Sequence, residues 1–93
     1  MKINVRFFEE NFVAAVGAGV YGIYAKTDNR EELLYVGESV FVLVRCATHL
    51  YEISKGKGYL GFDEDKIENE KITLVFKLYK NTTSKKERIA LEH

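Results

Sequence analysis

Apolar and polar residues alternate most clearly near the C-terminal end, where Ile72, Leu74, Phe76 and Leu78 are interleaved with Thr73, Val75, Lys77 and Tyr79. A period of two marks a half-buried strand, so residues 72 to 78 are expected to form a core strand. Upstream, Gly19-Val20-Tyr21-Gly22-Ile23-Tyr24-Ala25-Lys26 and Leu33-Leu34-Tyr35-Val36 are rich in β-formers and are joined by the polar residues 27 to 32. This pattern predicts a β-hairpin. The next segment is ambiguous, because Val40-Phe41-Val42-Leu43-Val44 suits a strand by propensity alone. Over a longer window, Val40, Leu43, Val44, Ala47, Leu50 and Tyr51 fall on one helical stripe. That predicts an amphipathic helix over residues 40 to 53, capped by Ser39, with Arg45, His49 and Glu52 on its outer side.

Shorter signals fill in the rest. An alternating piece, Ile3 to Phe7, precedes a stretch from Glu9 to Val16 that suits a short helix closed by Gly17. Lys55-Gly56-Lys57-Gly58 reads as a flexible basic loop, and the acidic residues 63 to 70 as a short exposed helix. After the turn Asn81-Thr82-Thr83, Ser84 and Glu87 form a capping box opening a last helix. The expected fold class is α+β: a small three-stranded antiparallel sheet flanked by helices.

At 93 residues the chain has room for one core, so it is read as a single domain whose residues 1 to 18 form an N-terminal extension. Its 46% apolar content supports a packed interior. Fourteen basic residues balance 14 acidic ones, which argues against the global positive field of a chain devoted to nucleic acid. The balance is uneven along the chain. Residues 40 to 62 carry three basic and one acidic residue and residues 71 to 93 carry six and two, whereas residues 63 to 70 carry one and five. The lone Cys46 excludes an internal disulfide and a Cys-rich zinc site. With no apolar run of membrane-spanning length and no secretory core at the N-terminus, a cytoplasmic location is expected.

Three features follow in order: Gly19-Val20-Tyr21 on the first strand, Tyr35-Val36-Gly37 on its hairpin partner, and Arg45 with His49 on the following helix. In that order and spacing the chain, from about residue 19 onward, resembles the GIY-YIG nuclease superfamily. Gly22-Ile23-Tyr24 spells the motif more literally, but residues three apart on a strand face opposite ways, so only one tyrosine can enter the site. Tyr21 is preferred, and Tyr24 is the fallback.

The resemblance implies metal-dependent hydrolysis of DNA phosphodiesters. Arg45 would stabilise the phosphoryl charge, Tyr21 would take the proton of the attacking water, and Tyr35 and His49 would orient water or phosphate, with His49 as the alternative base. The implied ion is Mg2+, or Mn2+, held by a carboxylate that matches Glu92, with Glu87 as the alternative. Leu91-Glu92-His93 also matches the start of an expression tag, in which case the native ligand is either Glu87 or missing from this sequence.

The chain departs from the family pattern at Glu38, where a small residue or lysine is common, and at Val44, where another basic residue is common. DNA binding is therefore expected to be weak and salt-sensitive, with targeting left to substrate shape or a protein partner. Taken singly, each residue has a plainer explanation: Tyr21 and Tyr35 as cross-strand packing, Arg45 as a solvated helix residue, His49 as a core histidine. The alternatives to a nuclease are a GIY-YIG-like domain that binds nucleic acid or protein without cleaving, and a small α+β interaction module.

Overall fold

A computed structural model describes residues 3 to 69 and 71 to 81 of the chain. Within them the order is β1 (Asn4–Phe7), β2 (Gly19–Lys26), β3 (Glu31–Ser39), α1 (Val42–Ser54), β4 (Lys57–Tyr59), β5 (Phe62–Asp63), α2 (Glu64–Asn69) and β6 (Thr73–Asn81). The fold is α+β. The residues expected to open the last helix, Ser84 and Glu87, lie outside the described residues, as does Glu92.

The main sheet has four strands in the order β1-β6-β2-β3, rather than the three expected. β2 is the central ribbon, antiparallel to β3 on one side and to β6 on the other. The added strand is β1, which runs parallel to β6 with Asn4 opposite Thr73 and Phe7 opposite Phe76. Phe7 packs against the rings of Phe8 and Phe76, at centroid distances of 4.8 and 5.0 Å, Phe8 being turned out of the strand at φ 50°, and Phe8 N–H donates to the Phe76 carbonyl at 3.0 Å. The edge of β6 thereby gains a hydrogen-bonded partner.

The helix expected over residues 9 to 16 shrinks to a 3₁₀ turn at Ala14–Val16. Of its apolar residues only Ala15 is buried, while Phe12, Val13 and Val16 stay exposed, so a longer helix would have little surface to bury. The segment instead brings the Gly17 carbonyl to accept from Val42 N–H at 3.0 Å, tying it to the start of α1.

α1 begins two residues later than expected and is rotated about its axis. Ser39 Oγ accepts from Phe41 N–H at 3.0 Å, just ahead of the first turn. The buried stripe is Val42, Cys46, His49 and Ile53, whereas Val40, Val44 and Tyr51, expected in the core, are 55%, 64% and 63% exposed. The rotation carries His49 from the expected outer face into the interior at 2% exposure, while Arg45 remains exposed.

The basic loop expected at residues 55 to 58 leads instead into a β4–β5 hairpin that turns through Leu60 and Gly61, both at positive φ (53° and 85°). Phe62, at the end of that turn, is buried in the main core. α2 starts where Asp63 Oδ1 accepts from Lys66 N–H at 2.8 Å, an N-cap for the acidic helix expected there. No helix among the described residues is long and apolar enough to cross a membrane.

The rotation of α1 gives a direct test by denaturant unfolding. Ile53→Ala empties a fully buried site and is expected to cost about 2–5 kcal/mol. Val44→Ala, on the solvent side, should stay within about 0.5 kcal/mol of the parent. The reverse ranking would place the stripe where hydropathy alone puts it.

Candidate functional site

The motif tyrosines meet because the hairpin register sets them on one face. Tyr21 lies opposite Gly37 and Ile23 opposite Tyr35, and cross-strand partners point the same way. That face looks toward α1. Tyr21 packs at centroid distances of 6.2 Å from Tyr35 and 5.8 Å from His49, and Tyr35 lies 5.1 Å from His49. Gly37 makes this possible: a Cβ there would come within 2.5 Å of Tyr21 Oη and 2.7 Å of the Tyr35 ring. Its lack of a side chain leaves the slot into which both tyrosine rings close.

Tyr21 is fully buried, and its hydroxyl hydrogen-bonds His49 Nε2 at 2.8 Å. The Arg45 guanidinium, one turn before His49 on α1, acts on this hydroxyl by favouring its charged form. The other ring nitrogen, Nδ1, hydrogen-bonds the Tyr59 hydroxyl at 2.6 Å. β2, β3, α1 and β4 thus each contribute to one cluster of Tyr21, Tyr35, Arg45, His49 and Tyr59. Tyr59 was hidden in the sequence, because it follows Lys-Gly-Lys-Gly and belongs to no recognisable spacing.

Burial controls the protonation of this cluster. It raises the Tyr21 pKa far above the ordinary phenol value, as do Cys46 and Tyr35, against the opposing hydrogen bond and charge of Arg45. It also lowers the His49 pKa below its ordinary 6.5, and the Arg45 cation adds to that. At neutral pH the imidazole is therefore neutral, with one nitrogen donating and the other accepting. Cys46, fully buried beneath Arg45, is pushed up to about 12 and stays a thiol.

Tyr24 occupies the opposite face. Its hydroxyl hydrogen-bonds Tyr79, and Lys77 Nζ sits 4.6 Å from its ring centroid while pairing with Glu31 Oε1 at 2.7 Å. Lys77 thus carries part of the basic C-terminal segment away from the Tyr21 cluster. The segment from 40 to 62 keeps Arg45 beside it, while Lys55, in the turn after α1, pairs with Glu52 Oε1 at 3.1 Å. Among the described residues no three His, Cys, Asp or Glu gather into a group that could hold a metal ion. Both expected ligands, Glu92 and Glu87, lie outside them. No protein-family model, curated protein or solved structure matches the chain.

Two measurements test this cluster. Gly37→Ala should lower the melting temperature and perturb the Tyr21 and Tyr35 ring resonances, whereas an unaltered aromatic spectrum would mean the slot is wider than the contacts state. The second concerns pH. Unfolded chains protonate His49 near 6.5 and the folded chain only at lower pH, so unfolded molecules bind more protons in that window and stability falls as pH falls. Urea midpoints measured from about pH 7.5 down to about pH 5 should therefore decline, and His49→Gln should flatten that part of the slope.

Proposed function

We propose that the chain is a GIY-YIG-type endonuclease domain that hydrolyses DNA phosphodiester bonds with a divalent ion. One observation carries the reading: the Tyr21 hydroxyl is hydrogen-bonded to His49 Nε2 at 2.8 Å, within the electrostatic influence of the Arg45 guanidinium. A fixed guanidinium beside a phenol with a neutral imidazole behind it combines a phosphate anchor with a route for a proton. Arg45, exposed on α1, meets the phosphoryl oxygens and stabilises their growing charge. Tyr21 takes the proton of the attacking water as its own passes to His49, and Tyr35 orients the reactants across the shared face. Mg2+ or Mn2+, held by Glu92 or by Glu87, would add Lewis-acid stabilisation of the phosphate. The domain acts in the cytoplasm, drawn weakly to DNA by Arg45 and the basic segments of the chain and directed to its target by DNA shape or a protein partner.

A second reading rests on the complete burial of Tyr21. A base must touch the water it activates, and Tyr21 reaches solvent only if its cover shifts. A domain that binds nucleic acid or a protein partner through the Arg45 face without cutting has no such requirement.

Plasmid and branched-DNA cleavage with Mg2+ or Mn2+ separates the two. The expected result is metal-dependent cutting that Arg45→Ala reduces by about 100-fold or more and Tyr21→Phe abolishes. Cutting unaffected by Arg45→Ala overturns the mechanism. Salt-sensitive binding with no cutting establishes the second reading.

A further inference from the structure

The cluster contains one member that none of the motif residues accounts for. Tyr59 reaches His49 from the β4–β5 hairpin, ten residues beyond it in the chain, and its hydroxyl lies 2.6 Å from Nδ1. Its ring lies 5.9 Å from the imidazole at an interplanar angle of 34°, so the pair is set by packing as well as by the hydrogen bond. Unlike the fully buried Tyr21, Tyr59 is half-buried, with part of its surface open to solvent.

The hydrogen-bond roles follow from counting donors. Tyr21 is fully buried, and His49 Nε2 is the hydrogen-bond partner of its hydroxyl. The Tyr21 hydroxyl proton needs an acceptor, because a buried O–H left without one keeps its full desolvation penalty. His49 Nε2, at 2.8 Å, is that acceptor and must be bare. A neutral ring with bare Nε2 carries its proton on Nδ1, and the Tyr59 oxygen receives it. Tyr59 in turn keeps its own O–H for solvent. The chain of bonds is directional: Tyr21 to His49 Nε2 on one side, His49 Nδ1 to Tyr59 and on to solvent on the other.

We infer that Tyr59 is a positioning residue of this site, which holds His49 in the tautomer that accepts from Tyr21 and gives the phenolic proton its way out to solvent. The inference rests on the hydrolytic reading for its purpose, but the tautomer itself does not. Arg45 cannot serve as the exit, since its guanidinium does not give up a proton in water. In the reaction, the attacking water loses a proton to Tyr21 as the Tyr21 proton moves to His49 Nε2. The hydroxide adds to phosphorus and the ester P–O bond breaks, its alkoxide taking a proton from solvent. The imidazolium, flanked by the cation of Arg45 and by the rings of Tyr21, Tyr35 and Tyr59, sheds its Nδ1 proton to Tyr59, which releases one to water. The starting tautomer returns when Tyr59 passes a solvent proton back to Nδ1 and the Nε2 proton leaves through the Tyr21 hydroxyl to solvent.

The test is ¹⁵N spectroscopy of the His49 ring in the full chain, paired with cleavage kinetics. In the wild type, Nδ1 should be the protonated nitrogen and Nε2 the bare one. In Tyr59→Phe, which keeps the ring and removes only the hydroxyl, the ring should become a mixture of tautomers or switch. Kcat for DNA cleavage should fall by about tenfold with KM unchanged, and its dependence on pH should shift. A wild-type ring protonated on Nε2, or ring shifts identical in Tyr59→Phe, overturns the inference. If the wild type does not cleave DNA at all, the hydrolytic reading falls, while the ring shifts still decide the role of Tyr59.

Discussion

An imidazole placed in the core with both nitrogens used is the constraint around which the described structure is arranged. His49 is 2% exposed, and a buried ring of this kind is tolerable only if each nitrogen meets a partner of the right polarity. Tyr21 and Tyr59 supply those partners from β2 and β4, at 2.8 and 2.6 Å. To reach them, α1 turns its Val42-Cys46-His49-Ile53 face inward. That turn leaves Val40, Phe41 and Val44 in solvent, an exchange of apolar contact for polar satisfaction. Three elements distant in sequence are thus held in one relative orientation by two hydrogen bonds to a single ring.

Close packing reinforces the same choice. The tyrosines of β2 and β3 fit over Gly37, and the sheet behind them is completed by Leu74 and Phe76 of β6, both essentially buried. Such a cluster resists gradual deformation, since interiors packed at crystal density have discrete arrangements and little compressibility. The charge pattern fits this division of labour. The interior of the site is neutral, with a protonated phenol, a neutral imidazole and a protonated thiol, and the fixed cation Arg45 stands at the exposed rim. An anion arriving from solvent therefore meets positive charge before it meets anything that can exchange a proton.

Much of this arrangement was legible in the amino-acid order, and the omissions have physical causes. The strands carrying Tyr21, Tyr35 and Phe76 announced themselves through β-formers and period two, because a strand's facing is a local property. The grouping of Tyr21, Tyr35, Arg45 and His49 was implied only by the resemblance of their order and spacing to a family pattern. The facing of α1 was not, because hydropathy scores histidine as a surface residue, and the partners that make its burial favourable lie 28 and ten residues away. Tyr59 was missed for a related reason: two glycines and two lysines before it look like a loop until the hairpin they form is set against α1. β1 was seen as alternating but too short to assign, since four residues gain their stability only from a neighbouring strand.

That parallel pairing of β1 with β6 also orders events in time. Residues 4 to 7 meet partners at 73 to 76, and the central ribbon β2 finds its β6 partner across a similarly long stretch of chain. On a ribosome the hairpin β2–β3 and the helix after it can form as soon as they emerge, but the sheet beneath Tyr21 stays incomplete until β6 has been made. Of the four strands of this sheet, the earliest in the chain is thus among the last to find its place. Through that interval the segment from Asn4 to Phe8, with its two adjacent phenylalanines, travels as an open strand edge, and shielding it falls to the speed of elongation or to a chaperone.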